Sequence, residues 1–390
     1  MTDELVLRNA RLVLPDAVVE GSVRIRRGLI VGIDEGPAAS GEDLGGDFLM
    51  PGLVELHTDH LEHHFTPRPR TRWDPIPAVL SHDLQMAGAG ATTVLDAIRI
   101  GTMAGDDGGS VTAGALALLT AVEYAADAGI TRAEHFIHLR CEVSAPDCIE
   151  AFDAIGENGL LRLASLMDHT PGQRQYADVE AFRTYMVGKG RIAADEVDEV
   201  MERLRRVAEE YSDAHRHAIA ERVAARGIAL AAHDDATEEH VAEAARLGVR
   251  IAEFPTTAVA ARSAREHGQL TVMGAPNIVR GGSQSGNVAA AELLRLGLLD
   301  ILSSDYVPSS PLQAVFHLVG GGAITLPEGS ALVSANPAAA IGLDDRGSIR
   351  AGLRADLVRV AAHTAPPERH PAGTPIPAVR GVWREGRRVA

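Results

Sequence analysis

The chain has 390 residues, of which 46% are hydrophobic and 23% are charged, and its formal net charge at pH 7 is −16. This composition is typical of a globular protein and excludes a disordered or collagen-like chain. The acidic charge excludes general nucleic-acid binding, which depends on basic residues that neutralise phosphates. Because Cys141 and Cys148 are the only cysteines, a disulfide framework and a cysteine-rich zinc site are excluded as well.

The sequence carries no pattern typical of membrane insertion or secretion. The first residues, MTDELVLRNA, carry two acidic side chains and lack a long apolar run, unlike a signal peptide. No run of about 18 apolar residues, the minimum for a membrane-spanning helix, occurs. We therefore expect a cytoplasmic protein with no membrane partner.

Short apolar runs punctuated by glycine and proline mark both ends of the chain as rich in strands. The runs are Leu5–Leu14, Ser22–Arg26, Leu29–Asp34, Ala355–Val360 and Val379–Arg387. Two such ends around a different middle predict a small discontinuous β-sandwich domain, formed by residues 1–48 and 345–390.

In the middle part, residues 49–344, apolar runs alternate with patterns that favour helices. The runs end near His57, Asp96, Val143, His169, His233, Pro255, Ala275 and Asp305. Eight strands alternating with helices predict the α/β class and a (β/α)8 TIM barrel. A doubly wound sheet is the structural alternative, but its glycine-rich dinucleotide motif is missing.

Three stretches of the middle part predict particular helices. Ser110–Ala128 and Glu239–Leu247 have the pattern of helices that lie between barrel strands. Ala193–Arg226 is rich in glutamate and arginine, which predicts one or two solvated helices outside the barrel.

Polar side chains recur on one face of two predicted strands, because alternate residues of a strand share a face. On the strand over Phe136–Val143, that face carries His138, Arg140 and Glu142. On the first barrel strand, it carries Glu55, His57 and Asp59. Polar faces on strands of a closed barrel predict a wet, functional interior.

Several strands end in residues that can bind a metal, at the barrel end where catalytic residues lie. Taken singly, each has a structural explanation: Asp305 could cap a turn, and Glu142 could pair with Arg140. Together they supply enough nitrogen and oxygen ligands for two divalent ions with a bridging carboxylate and a water. The predicted ligands are His57, Asp59, Glu142, His169, His233 and Asp305.

Two segments resemble the amidohydrolase superfamily, and the resemblance covers essentially the whole chain. They are MPGLVELHTD at 50–59, similar to its first-strand motif, and the tail from Asn336-Pro337 to Val358, similar to the closure of its composite β domain.

Further motifs resemble one group within the superfamily, the diphosphatases of the carbon–phosphorus lyase pathway. They are HTDHLE at 57–62, PRPRTRW at 67–73, DHTPG at 168–172, EFPTT at 253–257 and RGGSQSG at 280–286. These enzymes hydrolyse α-D-ribose 1-methylphosphonate 5-triphosphate to the 5-phosphate and pyrophosphate. The resemblance implies the same metal-dependent reaction here, with Asp305 as both metal ligand and catalytic base.

The chain departs from many members of the superfamily at two positions. It has His57-Thr-Asp59 where those members have two histidines. We favour Asp59 over His60 as the ligand, and we expect His60 either to support the ligands from behind or to contact the substrate. Those members also bridge their metals with a carboxylated lysine. The only lysine here, Lys189, lies in a segment unlike a barrel strand, which favours a glutamate bridge from Glu142.

An anionic phosphorylated substrate needs cations at the mouth of the site, and arginine matches phosphate oxygens in bidentate geometry. The alternatives are a solvated loop for Arg68, Arg70 and Arg72, a flexible turn for Arg280 and, for Arg140, a contact with the bridging Glu142. The candidate arginines are Arg68, Arg70, Arg72, Arg140 and Arg280.

The rival function is an amidohydrolase that acts on a cyclic amide or an N-acyl substrate. A singly charged amide does not need several arginines at the mouth, so this function is less favoured. A silent scaffold is a further alternative, but such a protein would normally have lost metal ligands. We expect zinc, although manganese and iron also suit these ligands, and a homodimer, the commonest assembly.

Overall fold

In the computed structural model of the protein, the described residues are 4–68, 71–103, 111–155, 158–174, 179–180, 183, 195–283, 285–366, 368 and 373–390. They contain two 8-stranded sheets, one built from both ends of the chain and the other from its middle.

The terminal sheet joins strands from both ends of the chain, as predicted. Its strands are β1 (Glu4–Val13), β2 (Val18–Arg26), β3 (Leu29–Glu35), β4 (Glu42–Asp43), β5 (Phe48–Pro51), β14 (Leu357–His363), β15 (Ile376–Arg384) and β16 (Arg387–Arg388). The join is made by β5, which pairs with β1 in parallel and with β14 in antiparallel orientation. Ile25, Ile30 and Trp383 share one buried core, so the sheet curls until its two arms face each other. The exact domain boundaries stay a prediction.

The second sheet is the predicted barrel, with all its strands parallel and in sequence order. Its strands are β6 (Leu53–Thr58), β7 (Ala91–Ile100), β8 (Glu134–Glu142), β9 (Leu161–Met167), β10 (Ala229–His233), β11 (Ile251–Glu253), β12 (Leu270–Gly274) and β13 (Ile301–Ser303). Each strand contributes an apolar residue to one interior cluster. These residues include Val54, Leu95, Phe136, Leu163, Ala231, Ile251, Val272 and Ile301.

Helices cover the outside of the barrel and follow its strands. Their bounds are α1 (His60–Phe65), α2 (Pro75–Gly88), α3 (Val111–Asp127), α4 (Cys148–Ile155), α5 (Val197–Ala225), α6 (Glu238–Arg246), α7 (Ala258–Glu266), α8 (Ala275–Arg280), α9 (Ala290–Arg295), α10 (Ser310–Gly320), α11 (Leu326–Val333) and α12 (Ala335–Ala340). The predictions for α3 and α6 are confirmed to within one residue. Among the described residues, no helix combines the length and the apolar character needed to cross a membrane.

For the described residues of Ala193–Arg226, the prediction of one or two helices outside the barrel is confirmed, but the prediction that they are solvated is wrong. Buried apolar residues occur along the whole of α5, from Val197, Met201 and Leu204 to Val223. Residues 197–225 form the single helix α5, and its Ile219 and Val223 are buried in the same core as Leu166 of the barrel. The charged residues dominate the composition, but these two apolar residues lie four positions apart and therefore share one helical face.

A bulge in β6 changes which side chains enter the barrel. The register of β6 against β7 shifts between Glu55 and Thr58, so Leu56 and the following His57 both face the interior. The prediction that Glu55 shares a face with His57 is therefore wrong, because alternation fails at a bulge.

The Glu55 carboxylate instead closes the seam between the first and last barrel strands. It accepts hydrogen bonds from the backbone N–H groups of His57 and Ser304, both at 2.8 Å. Beside it, the Asp305 N–H donates to the His57 carbonyl at 3.0 Å, and the Asp59 N–H donates to the Asp305 carbonyl at 3.1 Å. These bonds fix the first and last strands next to each other.

A buried polar network holds α2 against the outer face of the barrel. The His135 ring bonds the carboxylates of Asp96 and Asp83 at 2.8 and 3.3 Å, and His82 bonds Asp96 at 2.9 Å. All four side chains are fully buried. Burial alone would lower the pKa of His135, but the charge of Asp96 outweighs it and raises this pKa to about 10.

We expect His135→Gln to remove a pH-dependent part of the stability. A histidine whose folded pKa is raised stabilises the fold fully below its ordinary pKa of 6.5, and this contribution is lost as the pH rises to about 10. The free energy of unfolding, measured by denaturant titration across this pH range, should depend less on pH in the variant. The exposed His217→Gln serves as the control; equal slopes in His135→Gln and wild type would contradict the expectation.

Candidate metal centre

The predicted metal ligands lie together at the carboxyl ends of the barrel strands. Glu142 and His233 are the last residues of β8 and β10, and His57 is the penultimate residue of β6. Asp59, His169 and Asp305 follow the ends of β6, β9 and β13 within two residues. This is the barrel face on which catalytic groups converge.

Two groups of side chains have the composition and spacing of metal ligands. The first consists of His57, Asp59 and Asp305, whose ligand atoms all lie within 4.8 Å of one another. Its His57 Nε2 and Asp59 Oδ1 are 3.3 Å apart. One nitrogen and two carboxylate oxygens suit a divalent transition metal.

The second group consists of His169, His233 and Asp234, within the same 4.8 Å limit. His233 Nε2 and Asp234 Oδ2 are 3.3 Å apart. Asp234 is 6% exposed, and its buried Oδ2 has no hydrogen-bond partner. A buried carboxylate oxygen without a donor is the kind of atom that a cation would stabilise, so the donor set fits a metal ion.

Sequence reasoning missed Asp234. The signal was present in the run His233-Asp-Asp235, in which two carboxylates directly follow a histidine at a strand end. Only the fold separates them, since Asp234 turns towards His233 whereas Asp235 forms an ion pair with Arg174.

Buried glutamates orient all three histidines of the two groups. Glu253 accepts hydrogen bonds from Nδ1 of His57 and of His233, both at 2.7 Å. Glu142 accepts one from Nδ1 of His169 at 2.6 Å. Each histidine thus uses Nδ1 for a carboxylate, which leaves Nε2 for a metal.

Glu142 therefore stands beside the second group, on the Nδ1 side of His169, and belongs to neither group. Its proposed place as a bridging ligand stays a prediction. The predicted order of the barrel strands places Glu142 and His169 at the ends of neighbouring strands, but it does not show that their side chains form a hydrogen bond.

Two further clusters of ligand-type residues are already joined by hydrogen bonds. His57, His138 and Glu253 form one, in which His138 bonds the Leu56 carbonyl at 2.9 Å and the Ser165 hydroxyl at 2.5 Å. Both nitrogens of His138 are therefore engaged. The other cluster is the His82–Asp96–His135 network on the outside of the barrel.

Arg140 is the cation at the centre of the site. Its guanidinium donates to Asp59 Oδ1 at 2.7 Å and, against the opposing effect of burial, keeps the pKa of Asp59 well below its usual range. Burial and the negative charge of Asp59 raise the pKa of Asp305 to about 6. The two carboxylates thus repel each other, and a divalent cation between them would relieve the repulsion.

Strained backbone marks three turns on this face. Asp234, Phe254 and Asp305 have φ values of 59°, 55° and 52°, in the left-handed region that non-glycine residues rarely adopt. Each of the three still donates its N–H to a neighbouring strand, at 2.9, 2.9 and 3.0 Å. The chain therefore continues its strand pairing and then turns sharply, and such strain is concentrated at functional sites.

Two of the residues predicted to bind substrate, His60 and Arg280, lie beside Tyr306. His60 donates through Nε2 to the carbonyl of Tyr306 at 2.8 Å, and Arg280 donates to the Tyr306 hydroxyl at 3.4 Å. Both therefore contact the residue after Asp305. Arg68 and Arg72 are exposed on the segment after α1. Arg70 and Lys189 lie outside the described residues.

Comparisons with known proteins point to one family. The amidohydrolase family model matches residues 150–390. The α-D-ribose 1-methylphosphonate 5-triphosphate diphosphatase of Escherichia coli (strain K12) is 45% identical over 389 residues, which cover 99% of this chain and 100% of that protein. The chain belongs to the amidohydrolase family. The family typically binds divalent metals, in accord with the two groups of ligands described above.

Solved amidohydrolase structures share the fold across nearly the whole of this amidohydrolase. Dihydropyrimidinase from Brevibacillus agri superimposes with a TM-score of 0.61 at 16% identity, covering 99% of this chain and 94% of that chain. N-acetyl-D-glucosamine-6-phosphate deacetylase from Mycobacterium smegmatis gives 0.62 at 16% identity, covering 100% of both. At this identity the likeness establishes the fold alone.

We expect Asp234→Asn to weaken metal binding at the second group only. Asparagine keeps the shape and tolerates the left-handed backbone, but it removes the negative charge that would hold the ion. The metal-to-protein ratio after dialysis, measured by inductively coupled plasma mass spectrometry, should fall towards half of the wild-type value. Asp235→Asn is the adjacent control and should keep the wild-type ratio. An unchanged ratio in Asp234→Asn would exclude Asp234 as a ligand.

Proposed function

We propose that this protein hydrolyses α-D-ribose 1-methylphosphonate 5-triphosphate to the 5-phosphate and pyrophosphate with two bound divalent metal ions. The observation that carries the proposal is the 45% identity to the diphosphatase over both full lengths. Two compact groups of metal ligands at the carboxyl face of the barrel support it.

His57, Asp59 and Asp305 would hold one ion, and His169, His233 and Asp234 the other. When bound, such ions lower the pKa of a water molecule and neutralise charge on phosphoryl oxygens. Glu253 and Glu142 keep the histidine Nε2 atoms available through the bonds to Nδ1.

Asp305 is the proposed catalytic base. Its carboxylate lies within the first group, close to His57 and Asp59, and its backbone is fixed by the bond to the His57 carbonyl at 3.0 Å. A fixed carboxylate at this place can accept the proton of a water that attacks the phosphorus next to the ribose oxygen. Pyrophosphate then leaves.

The arginines would bind the phosphate groups. Arg280, together with Arg68, Arg70 and Arg72, would provide positive charge for the substrate in a protein whose net charge is −16. Arg140 and His60 lie deeper, beside Asp59 and Tyr306. Arg280 would hold the phosphate groups equally in the bound substrate and in the transition state, whereas a deeper cation aimed at the leaving pyrophosphate would stabilise the charge that develops on it.

We further propose zinc as the metal, a homodimer as the assembly and the cytoplasm as the location. Mixed nitrogen and oxygen ligands suit zinc, and manganese or iron would also be accepted. The two cysteines are both free and buried, which suits a reducing compartment. The rival amide-hydrolase function is less supported, since the amidohydrolase structures reported above share only the fold.

Phosphorus NMR of the metal-loaded protein with the ribose triphosphate phosphonate tests the reaction directly. Equal amounts of pyrophosphate and the 5-phosphate would support the proposal. Released orthophosphate would mean a terminal phosphatase. No phosphorus product from metal-loaded protein would favour the amide hydrolases instead.

Asp305→Asn should lose turnover about 10²- to 10⁴-fold, the usual contribution of a general base. Phosphorus NMR gives the rate, and mass spectrometry shows whether metal is still bound. The matched control is Asp300→Asn. Asp300 directly precedes the first residue of β13, at the end of the strand opposite to Asp305. Full turnover in Asp305→Asn with metal bound would exclude this residue as the base.

Arg280→Gln should raise KM for the triphosphate about tenfold or more with kcat little changed, because a charge-assisted hydrogen bond contributes about 1.5–3 kcal/mol. Steady-state kinetics with a coupled pyrophosphate assay measures both constants. Arg295 is likewise exposed, but it lies on α9, which leads to the start of β13 at the other end of the barrel. Arg295→Gln should leave KM unchanged, and an equal KM in Arg280→Gln would contradict the assignment.

A further inference from the structure

We propose that Glu253 is a positioning residue that links the two metal-binding groups. One carboxylate holds His57 of the first group and His233 of the second in the tautomer that presents Nε2 to a metal. Binding of both ions therefore depends on this one side chain. The inference rests on the two-metal site proposed above.

The geometry assigns each carboxylate oxygen to a different histidine. Oε1 accepts from His57 Nδ1 and Oε2 from His233 Nδ1, both at 2.7 Å. The two imidazole rings stack at a centroid distance of 5.7 Å with 17° between their planes. Nearly parallel rings held at the same edge present their Nε2 atoms side by side, each 3.3 Å from an aspartate oxygen, on Asp59 and Asp234 respectively.

A carboxylate determines the tautomer because it has acceptor oxygens only. Nδ1 of each ring must therefore carry the hydrogen, and Nε2 of the neutral ring keeps its lone pair. Glu253 is 1% exposed, so no water competes for these bonds. The Ser165 hydroxyl donates to Oε2 at 2.9 Å, which fixes the carboxylate further.

Glu253 acts through the histidines and does not need to touch an ion. Its oxygens lie on the Nδ1 edge of both rings, whereas the aspartates of the two groups lie on the Nε2 edge. A metal bound by Nε2 of either ring is therefore separated from Glu253 by that ring.

Glu142 provides a natural comparison, because it orients only one histidine. Its carboxylate bonds Nδ1 of His169 at 2.6 Å, and His169 belongs to the second group alone. If Glu142 acts through His169 alone, in place of the metal bridge predicted from the sequence, its loss affects one ion, whereas loss of Glu253 affects both.

Glutamine at position 253 should give an intermediate result. Its amide has one acceptor oxygen and one donor NH₂ group, so it can keep only one of the two histidines in the required tautomer. The NH₂ group fits the Oε2 position, where the Ser165 hydroxyl can accept one of its hydrogens. His233 would then carry its hydrogen on Nε2, where it blocks the metal.

The experiment measures the affinity of each zinc ion in the full-length protein by competition with a chromophoric chelator. We expect both ions to bind about 10- to 100-fold more weakly in Glu253→Met, the usual effect of losing an orienting partner. Only one ion should weaken in Glu142→Met and in Glu253→Gln. Circular dichroism of the metal-free variants checks that the fold is retained.

The possible results separate this inference from the proposed function. The proposed link between the two groups would be overturned if Glu253→Met bound both ions with wild-type affinity. It would also be overturned if Glu253→Met lost only the ion that Glu142→Met loses. If Glu253→Met does not fold, unchanged binding in Glu253→Gln overturns it equally. A wild-type protein that binds no zinc would overturn the proposed metal site itself. Nitrogen-15 NMR of labelled histidines in the zinc-loaded wild type should show Nδ1 protonated in both rings, and the opposite tautomer would also refute the link.

Discussion

The candidate metal centre depends on the seam where the first and last strands of the barrel meet. His57 lies at the end of the first strand, Asp59 follows that strand and Asp305 follows the last, so they form one group only if this seam closes. The Glu55 carboxylate joins the two strands, because it accepts hydrogen bonds from the backbone N–H groups of His57 and Ser304, both at 2.8 Å. A side chain thus replaces a backbone acceptor at the point where the bulge in β6 interrupts regular pairing.

The same seam sets the electrostatics of the site. It brings Asp59 and Asp305 close enough for their charges to interact, and Arg140 compensates only Asp59 directly. Buried carboxylates are costly without a counter-charge. The protein provides hydrogen-bond donors for Glu253 and Glu142 through histidine N–H groups, whereas Asp234 keeps a carboxylate oxygen without a donor. The remaining negative charge is therefore concentrated where the Nε2 atoms converge.

Much of the fold could be predicted from the sequence, because an apolar run of strand length indicates a buried strand. The barrel, the small terminal sheet and the helices α3 and α6 follow from such runs. The polar face of β8 also follows, since His138, Arg140 and Glu142 alternate with residues that pack against helices. The barrel strands end close to the expected residues, except β7, which continues four residues beyond Asp96 to Ile100.

The rest could not be predicted, because it depends on contacts between distant strands. Alternation wrongly placed Glu55 inside the barrel, since a single bulge is invisible in a hydrophobic pattern. Glu253 looks like any residue at a strand end until the fold brings His57 and His233 to its two oxygens. Asp234 and Asp235 are chemically identical in the sequence and are distinguished by the left-handed backbone angle of Asp234 and by the ion pair of Asp235 with Arg174.

The pairing of β5 with both β1 and β14 has a consequence for synthesis of the protein. During translation, β5 gains β1 as a neighbour early, but its other edge stays open until nearly the whole chain has left the ribosome. An open strand edge is a template for pairing with other chains, and contacts between such distant segments form slowly. The nascent protein therefore carries an aggregation-prone edge through most of its synthesis, and its last strands remove that edge.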